Sequence, residues 1–202
     1  MDAIALFLEQ HARTHSARVA KPNEGANAQD AILDGLTDSH LRRVPQRGMN
    51  SIAWVLWHIA RSEDIGIHLF SGHRQVFEDG GWASKLRVAD KHSGTGHTPE
   101  DVARVSAGID LVALRDYRAA VGMRTRELIK AQKPADLDTK VELAAVRRAI
   151  AAGAYGEKPN VADLEKNWPT RSRAYAISIY AVTHNSSHWG EVTTIKGLVT
   201  AK

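Results

Sequence analysis

The sequence predicts an all-α fold, a four-helix bundle with additional short helices and long loops. Apolar residues recur at helical spacing along most of the 202 residues, and the alternation that marks a strand nowhere persists. Four of the periodic segments are long, which is typical of a bundle whose sites are built from side chains on facing helices. The length is that of one domain, spanning residues 1–202, with a core of its own.

The first long helix is predicted over about residues 2–19, where apolar residues share one side. A stretch at 21–25 that contains both proline and glycine ends it, because neither residue favours a helix interior. A shorter helical segment is predicted around 27–36, and Asp38 or Ser39 is expected to cap a further turn.

The second long helix is predicted over about 51–70, with Asn50 or Ser51 as its N-cap. Residues 71–98 are rich in glycine, histidine and charge, so we expect a long loop there. Long loops in compact domains are often functional or mobile. A short helix begins after Thr98, since a proline follows at its first position.

The third long helix is predicted over about 108–132 and stops before Pro134. Residues 136–152 are rich in alanine and only weakly helical in pattern. Another loop is expected over 153–168, and the last long helix over about 171–199.

The composition excludes several classes of chemistry. The chain has no cysteine, which removes disulfides, thiolate metal ligands and a cysteine nucleophile. Any metal must therefore be held by His, Asp or Glu, and any thiol must come from outside the protein. The net charge is only +4 and the basic residues are scattered, so we expect no nucleic-acid partner. Without a signal-peptide pattern or a long apolar run, a cytoplasmic protein with no membrane partner is expected.

Three histidines point to a metal site. His184 and His188 are four residues apart, which places both imidazoles on one side of a helix, about one turn from each other. His58 lies in a second apolar run and can supply a third ligand from a facing helix. Imidazoles on an inward face are costly unless they are satisfied, and a metal satisfies them together. Three protein ligands leave one coordination position open, as in catalytic sites.

Other interpretations of these histidines remain open. His184 and His188 can be ordinary helix residues. His11 and His15 have the same spacing, so they compete as ligands, line the same cavity, or pair with acids at the surface. Asn185 is expected to point away from the metal face and is left out of the site. The histidines at or beyond the end of the second helix are expected to be solvated, although a loop residue can contact substrate: His68, His73, His92 and His97.

Two kinds of residue flank the proposed ligands. Trp54, Trp57 and Trp189 are expected in the core, with lining of a cavity above the metal as the alternative. Arg61 follows His58 by about one turn. It can pair with a carboxylate inside the bundle, or with the carboxylate of a substrate or thiol cofactor.

Several motifs do not occur. Asn185 follows His184, so the H-E-x-x-H pattern of zinc proteases is not matched. No glutamate lies three residues before a histidine, as di-iron bundles require, and there is no phosphate-binding loop or G-x-S-x-G. This argues against nucleotide, hydride-transfer and serine-hydrolase chemistry.

Two segments carry a resemblance to a known family. The run from Asn50 to Ala60 with the following Glu63-Asp64, together with His184-x-x-x-His188-x-Gly190, resembles the DinB-like metalloproteins. The resemblance implies a four-helix bundle that holds divalent zinc or nickel through His58, His184 and His188, often as a homodimer. Some members are S-transferases that use bacillithiol, mycothiol or glutathione, and one branch is a thiol-dependent maleylpyruvate isomerase.

One position departs from the family. Members commonly have glutamine where this chain has Glu191, one turn beyond His188. Glu191 can act as a hydrogen-bond acceptor for a ligand, a proton shuttle or an extra ligand, and an extra ligand would favour a structural site.

The function that we predict is metal-dependent transfer of a low-molecular-weight thiol to a small electrophile. Zinc or nickel would lower the pKa of a thiol or water at the open position. Glu191 and Arg61 are the candidate catalytic residues. The alternatives are a non-catalytic metal- or ligand-binding bundle and a metal-dependent hydrolase.

Overall fold

The computed structural model describes residues 2–156 and 159–201, and within them the fold is helical. Only an isolated bridge, between Lys140 and Ser172, has strand-like pairing there. The all-α prediction is confirmed. No helix in the described ranges is long and apolar enough to cross a membrane. In chain order the helices are α1 (Ala3–Thr14), α2 (Ala28–Leu33), α3 (Asp38–Arg42), α4 (Ile52–Ser71), α5 (Val76–Asp79), α6 (Trp82–Leu86), α7 (Pro99–Gly108), α8 (Leu111–Lys130), α9 (Pro134–Leu137), α10 (Leu143–Ala151), α11 (Val161–Asn167), α12 (Arg173–Ser178) and α13 (His184–Thr200).

Helix α4 is the central element of the bundle. It is buried at every position from Ile52 to Phe70 and packs against α8, α10, α12 and α13. Ser51 caps its first turn by accepting a hydrogen bond from the backbone N–H of Trp54 at 3.0 Å, as the sequence predicted. Gly72, with a positive φ of 71°, ends it. Because α4 is surrounded, every polar side chain on it needs a partner inside the protein.

The C-terminal helical segment is not a regular α-helix along its length. A π-helical turn, Ile179–Thr183, lies between α12 and α13 and ends immediately before His184. Tyr180 in this turn lies against Gly66 of α4, where a Cβ on the glycine would come within 2.5 Å of the Tyr180 Cβ. The glycine therefore permits the close approach of the two helices. Such π-helical insertions occur frequently at functional sites.

The end of the first helix and the loop predicted over 71–98 differ from the sequence prediction. Helix α1 ends at Thr14 rather than near residue 19, because His15 turns into an extended conformation at its C-cap. The predicted loop over 71–98 contains α5 and α6, which are too short to give a periodic pattern. Asp64 anchors the first of them by accepting hydrogen bonds from the backbone N–H groups of Val76 and Phe77, at 2.7 and 2.8 Å.

The predicted loop over 153–168 also differs from the structure. It contains α11, Val161–Asn167, whose N-cap Asn160 accepts a hydrogen bond from the backbone N–H of Asp163. Residues 157 and 158 of this loop lie outside the described residues.

Candidate metal centre

The structure brings the three predicted ligands together in a cluster that we call the histidine site. His58 comes from α4, and His184 and His188 come from the first turns of α13. The Nε2 atoms of His58 and His184 are 3.1 Å apart, and each of the three residues offers a ring nitrogen within 4.8 Å of the others. Two facing helices therefore present three imidazole nitrogens to one point.

Hydrogen bonds at the back of two rings set the direction of their lone pairs. The Nδ1–H of His58 donates to the carbonyl oxygen of Ser93 at 2.6 Å, and the Nδ1–H of His188 donates to Glu191 Oε2 at 2.6 Å. A neutral imidazole that donates from Nδ1 has its lone pair on Nε2. Metal-bound histidines almost always carry such a partner on the second nitrogen. The His184 Nδ1 is buried and has no such partner among the described residues. Two of the three rings therefore carry the hydrogen bonds typical of metal ligands, and the convergence of the three ring nitrogens fits a metal ion.

Burial keeps the imidazoles of His58 and His184 neutral. It lowers the pKa of His58 to about 4 and that of His184 to about 3. For His184 the neighbouring histidines act in the same direction, since a second positive charge nearby is unfavourable. Neutral imidazole is the form that coordinates a metal, so both rings are ready to bind one at neutral pH.

Glu191 lies behind His188 rather than among the ligand atoms. Its Oε2 accepts from His188, and its Oε1 accepts from the Asn50 side-chain amide at 2.8 Å. Burial would raise the pKa of Glu191, but these two hydrogen bonds outweigh burial and lower it. The sequence left three roles open for Glu191, and this geometry matches that of a hydrogen-bond acceptor for His188. An ion held by the three imidazoles would therefore not take Glu191 as a ligand, and it would lie beside a His188 side chain that is 21% exposed.

Two tryptophans contribute to the site as well as to the core. The Trp54 ring stacks on His58 with ring centroids 4.9 Å apart and an angle of 9° between the planes. Its indole N–H donates to His97 Nδ1 at 3.1 Å, and the buried Trp57 stacks on the same His97. The loop that supplies the Ser93 carbonyl is thus fixed to α4 by aromatic contacts.

Arg61 lies in a different network. Its guanidinium donates to Asp64 at 2.9 Å and to the Tyr117 hydroxyl at 2.8 Å. It also donates to Gln75 at 2.7 Å and to the carbonyl oxygen of Lys91. None of these partners belongs to the histidine site. The geometry therefore matches the interpretation of Arg61 as a structural ion pair, which also holds the 75–91 segment against α4.

His11 and His15 meet a carboxylate in the centre of the bundle. Each donates from Nε2 to one oxygen of Glu63 at 2.8 Å. Thr125 donates to Oε1 at 2.6 Å and Asn185 donates to Oε2 at 2.9 Å. We call these five residues the Glu63 cluster. It is fully buried and joins α1, α4, α8 and α13.

The Glu63 cluster offers metal-ligating atoms within 4.8 Å of one another, but its hydrogen bonds favour a different role. The Nδ1 atoms of His11 and His15 are buried and have no partner. A metal on Nε2 would move the ring protons to Nδ1 and leave two buried donors unsatisfied. When each Nε2–H donates to Glu63, the two Nδ1 atoms carry lone pairs, so neither ring has a buried donor without an acceptor. The cluster is therefore best described as a carboxylate saturated by four donors.

Charge in the Glu63 cluster follows from the same contacts. Burial alone would raise the pKa of Glu63, but its interactions with His15 and His11 lower it well below the ordinary range. Burial lowers the pKa of His15 to about 3, so that imidazole is neutral. Asn185, which was expected to lie outside the site, belongs to this cluster and directly follows His184 in the chain. A glutamate within the apolar pattern of α4 was the available signal for a buried polar cluster.

A cavity of about 190 Å³ adjoins the histidine site, and we call it the side cavity. Ile65 and Ala154 are the apolar residues of its lining, and Ser93 also lines it. The remaining lining residues are polar: Ser62, His92, Thr95, Tyr155, Tyr180 and His184. The side cavity is thus bounded by one of the three ligands and by the π-helical turn.

A helical bundle in which three imidazoles from facing helices converge on one point is a candidate metalloprotein. Comparison with family models identifies the family. The DinB superfamily model matches residues 24–191, and the chain belongs to that superfamily. The matched range includes the whole histidine site and Glu191, whereas His11 and His15 precede it. The resemblance inferred from the sequence is confirmed.

The comparison with solved structures agrees on the fold. The chain is similar to a crystal structure of a conserved protein from Enterococcus faecalis, with 21% identity and a TM-score of 0.70. The similarity covers 100% of this chain and 99% of that one. At this identity the likeness shows the fold alone. Comparison with curated proteins gave no match.

Proposed function

We propose that this protein is a metal-dependent enzyme that transfers a low-molecular-weight thiol to a small electrophile. The observation that carries the proposal is the position of Glu191. Because both of its oxygens are engaged behind His188, a bound ion would have three imidazole ligands and one open coordination position. A structural site would be expected to close that position with a fourth protein ligand.

The bound ion, zinc or nickel, would supply a Lewis acid that lowers the pKa of a thiol at neutral pH. The chain has no cysteine, so the sulfur must come from a separate thiol. Ser93 and Glu191 hold His58 and His188 in the orientation that the ion requires. The side cavity would hold the electrophile beside His184. In a conjugate addition, the new bond joins sulfur to carbon, and the thiol proton ends on the neighbouring carbon.

Elemental analysis tests the metal first. We expect about one zinc or nickel per chain in the wild type and loss of the metal in His58→Ala and His188→Ala. His73→Ala is the matched control, because His73 is an exposed histidine outside the site. A His188→Ala variant that kept its metal would contradict the ligand assignment.

Thiol consumption tests the reaction. Bacillithiol, mycothiol and glutathione would each be mixed with acrylamide, a small uncharged electrophile, in the presence of zinc- or nickel-loaded protein. We expect one thiol to be consumed faster than in the uncatalysed mixture, and the excess rate to be lost in His188→Ala. Metal binding without any such acceleration would favour a non-catalytic bundle, and ester hydrolysis at the same site would favour the hydrolase.

We also propose that the protein is a homodimer, as its family resemblance implies. Light scattering on the purified protein would then give twice the chain mass of 22.1 kDa. A mass of one chain at micromolar concentration would contradict this.

A further inference from the structure

A second cavity, which we call the Gln75 pocket, adjoins the network of Arg61. Its volume is about 380 Å³, and it shares no lining residue with the side cavity. The lining comes from α4, from the short helices α5 and α6 with their flanking turns, from the end of α10 and from Lys91. This volume is within the range of sites that bind small molecules. Neither the histidine site nor the proposed reaction uses the Gln75 pocket.

Gln75 offers a hydrogen-bond donor to this pocket. Only 2% of the residue is exposed, and the Arg61 guanidinium donates to its Oε1 at 2.7 Å. Because a guanidinium can only donate, this contact fixes which way the amide faces and directs Nε2 away from Arg61. Nε2 makes no hydrogen bond among the described residues, and it is not one of the unpartnered polar atoms that are sealed from solvent. A molecule in the pocket can therefore accept a hydrogen bond from Nε2.

The charges in the lining leave one cation without a partner. Arg61 is paired with Asp64 at 2.9 Å, and Arg74 Nε lies 3.6 Å from Glu78 Oε2, the only carboxylate in the lining among the described residues. Lys91 also lines the pocket and forms no ion pair within the described ranges. Its ammonium gives the pocket a positive charge that an anionic occupant would balance.

The lining also contains apolar surface. Phe77 is buried, and the Arg61 guanidinium lies 4.2 Å from the centroid of its ring. Ala83 and Ala152 line the pocket as well. Contact with these side chains favours an occupant with an apolar body, because such a body leaves water when it binds.

We propose that the Gln75 pocket binds a small carboxylate with an apolar body, such as an aromatic acid, through the Gln75 amide and the Lys91 ammonium. This site goes beyond the proposed function, because it needs neither a metal nor a thiol. It lies close to the histidine site along the chain. The carbonyl oxygen of Lys91 accepts from Arg61, and two residues later that of Ser93 accepts from His58. An occupant would therefore contact the segment that orients a metal ligand.

Three probes separate the two parts of the proposed ligand. Benzamide keeps the ring of benzoate and loses its charge, whereas acetate keeps the charge and loses the ring. Their dissociation constants would be measured by NMR titration of the zinc-free and the zinc-loaded protein. In both forms we expect benzoate to bind at least fivefold more tightly than either of the other probes.

Two variants locate the bound carboxylate. Gln75→Glu keeps an acceptor for Arg61, but it removes the donor and places a like charge beside the ligand. Lys91→Gln removes the unpaired ammonium. We expect each to weaken benzoate binding at least fivefold, and Lys91→Gln to change benzamide binding less than twofold. Lys130→Gln is the control, because Lys130 is exposed at the end of α8 and does not line the pocket. Lys91→Gln and Lys130→Gln should both leave the unfolding midpoint unchanged.

The contrary outcomes are distinct. Equal affinities for benzoate and benzamide, no binding of either, or unchanged benzoate binding in both variants would overturn the inference. Acetate binding as tight as that of benzoate would exclude the apolar body. Benzoate binding only to zinc-loaded protein would show that the carboxylate occupies the metal instead. None of these results depends on thiol consumption, so the inference can fail while the proposed function stands.

Discussion

Glu191 orients His188, one of the three proposed ligands, through a single hydrogen bond. It accepts from His188 Nδ1 at 2.6 Å and is held in turn by Asn50. Removing such a partner from a metal-bound histidine typically lowers metal affinity 10- to 100-fold. We therefore expect Glu191→Ala to weaken zinc binding by roughly that factor. Glu191→Gln should lower the zinc affinity less than Glu191→Ala does, because its amide oxygen can still accept from His188.

Competition with a chromophoric zinc chelator measures these affinities. Glu100→Ala serves as the control, because Glu100 is an exposed carboxylate paired with Arg47, away from the histidine site. If Glu191→Ala bound zinc as tightly as the wild type, Glu191 would have no part in orienting His188.

The meeting of His58, His184 and His188 was predictable at the residue scale, but the hydrogen-bond partners of these histidines were not. The spacing of His184 and His188 is local, and helical geometry places them on one side whatever the rest of the fold does. The Ser93 carbonyl is 35 residues from His58 and has no side-chain signal at all. The network of Arg61 also depends on distant groups, such as Tyr117. Such contacts follow from packing and cannot be read from spacing.

At the scale of helices, the Glu63 cluster fixes how α1, α4, α8 and α13 meet. Thr125 donates the shortest hydrogen bond in the cluster, 2.6 Å to Glu63. Thr125→Val keeps the shape and removes the donor. We expect it to reduce the free energy of unfolding by about 1.5–3 kcal/mol, the range for a hydrogen bond to a charged group.

Urea unfolding of zinc-free protein measures this effect. Thr194→Val is the control: Thr194 is exposed on α13, and its hydroxyl bonds only the carbonyl oxygen of Gly190 in its own helix. If Thr125→Val and Thr194→Val reduced the free energy of unfolding by the same small amount, the Glu63 cluster would not be what stabilises the bundle.

Gly66 sets the distance between α4 and the π-helical turn. A Cβ at this position would lie 2.5 Å from the Tyr180 Cβ, so Gly66→Ala must push the two helices apart. Overpacking of this kind destabilises by about 1–3 kcal/mol. Because the turn leads directly into His184, we also expect weaker zinc binding.

Gly197→Ala provides the matched control for Gly66→Ala. Gly197 lies on the exposed side of α13, and a Cβ there would meet nothing within 4 Å. Alanine should stabilise that helix by about 0.5–1 kcal/mol. Thermal unfolding and chelator competition would be run on both variants. Equal zinc affinity in Gly66→Ala and the wild type would show that the turn does not position His184.

At the scale of the whole molecule, the long helices could be predicted because their signals are local. The cap at Ser51 and the proline at the start of α7 act on adjacent backbone groups. The π-helical turn could not be predicted, since its residues continue the helical pattern of the segments on either side, and its contact with Gly66 lies in a different helix. The short helices α5 and α6 are held by contacts with α4, such as the Asp64 carboxylate, which sequence periodicity does not reveal.

Buried neutral histidines give the whole protein a dependence on pH. Burial lowers the pKa of His15 to about 3 in the folded state, whereas an unfolded histidine titrates near 6.5. Between these values the unfolded state binds the proton and the folded state does not, so stability falls as the pH falls below 6.5. At pH 5 the loss from His15 alone is about 2 kcal/mol. His58 acts in the same direction, with a folded pKa of about 4.

The free energy of unfolding of zinc-free protein should therefore be lower at pH 5 than at pH 7.5 by at least about 2 kcal/mol. In His15→Gln, which retains a donor for Glu63 but cannot titrate, this difference should shrink by about 2 kcal/mol. His73→Gln should leave it unchanged, because His73 is exposed and lies outside both histidine clusters. An undiminished difference in His15→Gln would mean that His15 is protonated in the folded protein and forms an ion pair with Glu63.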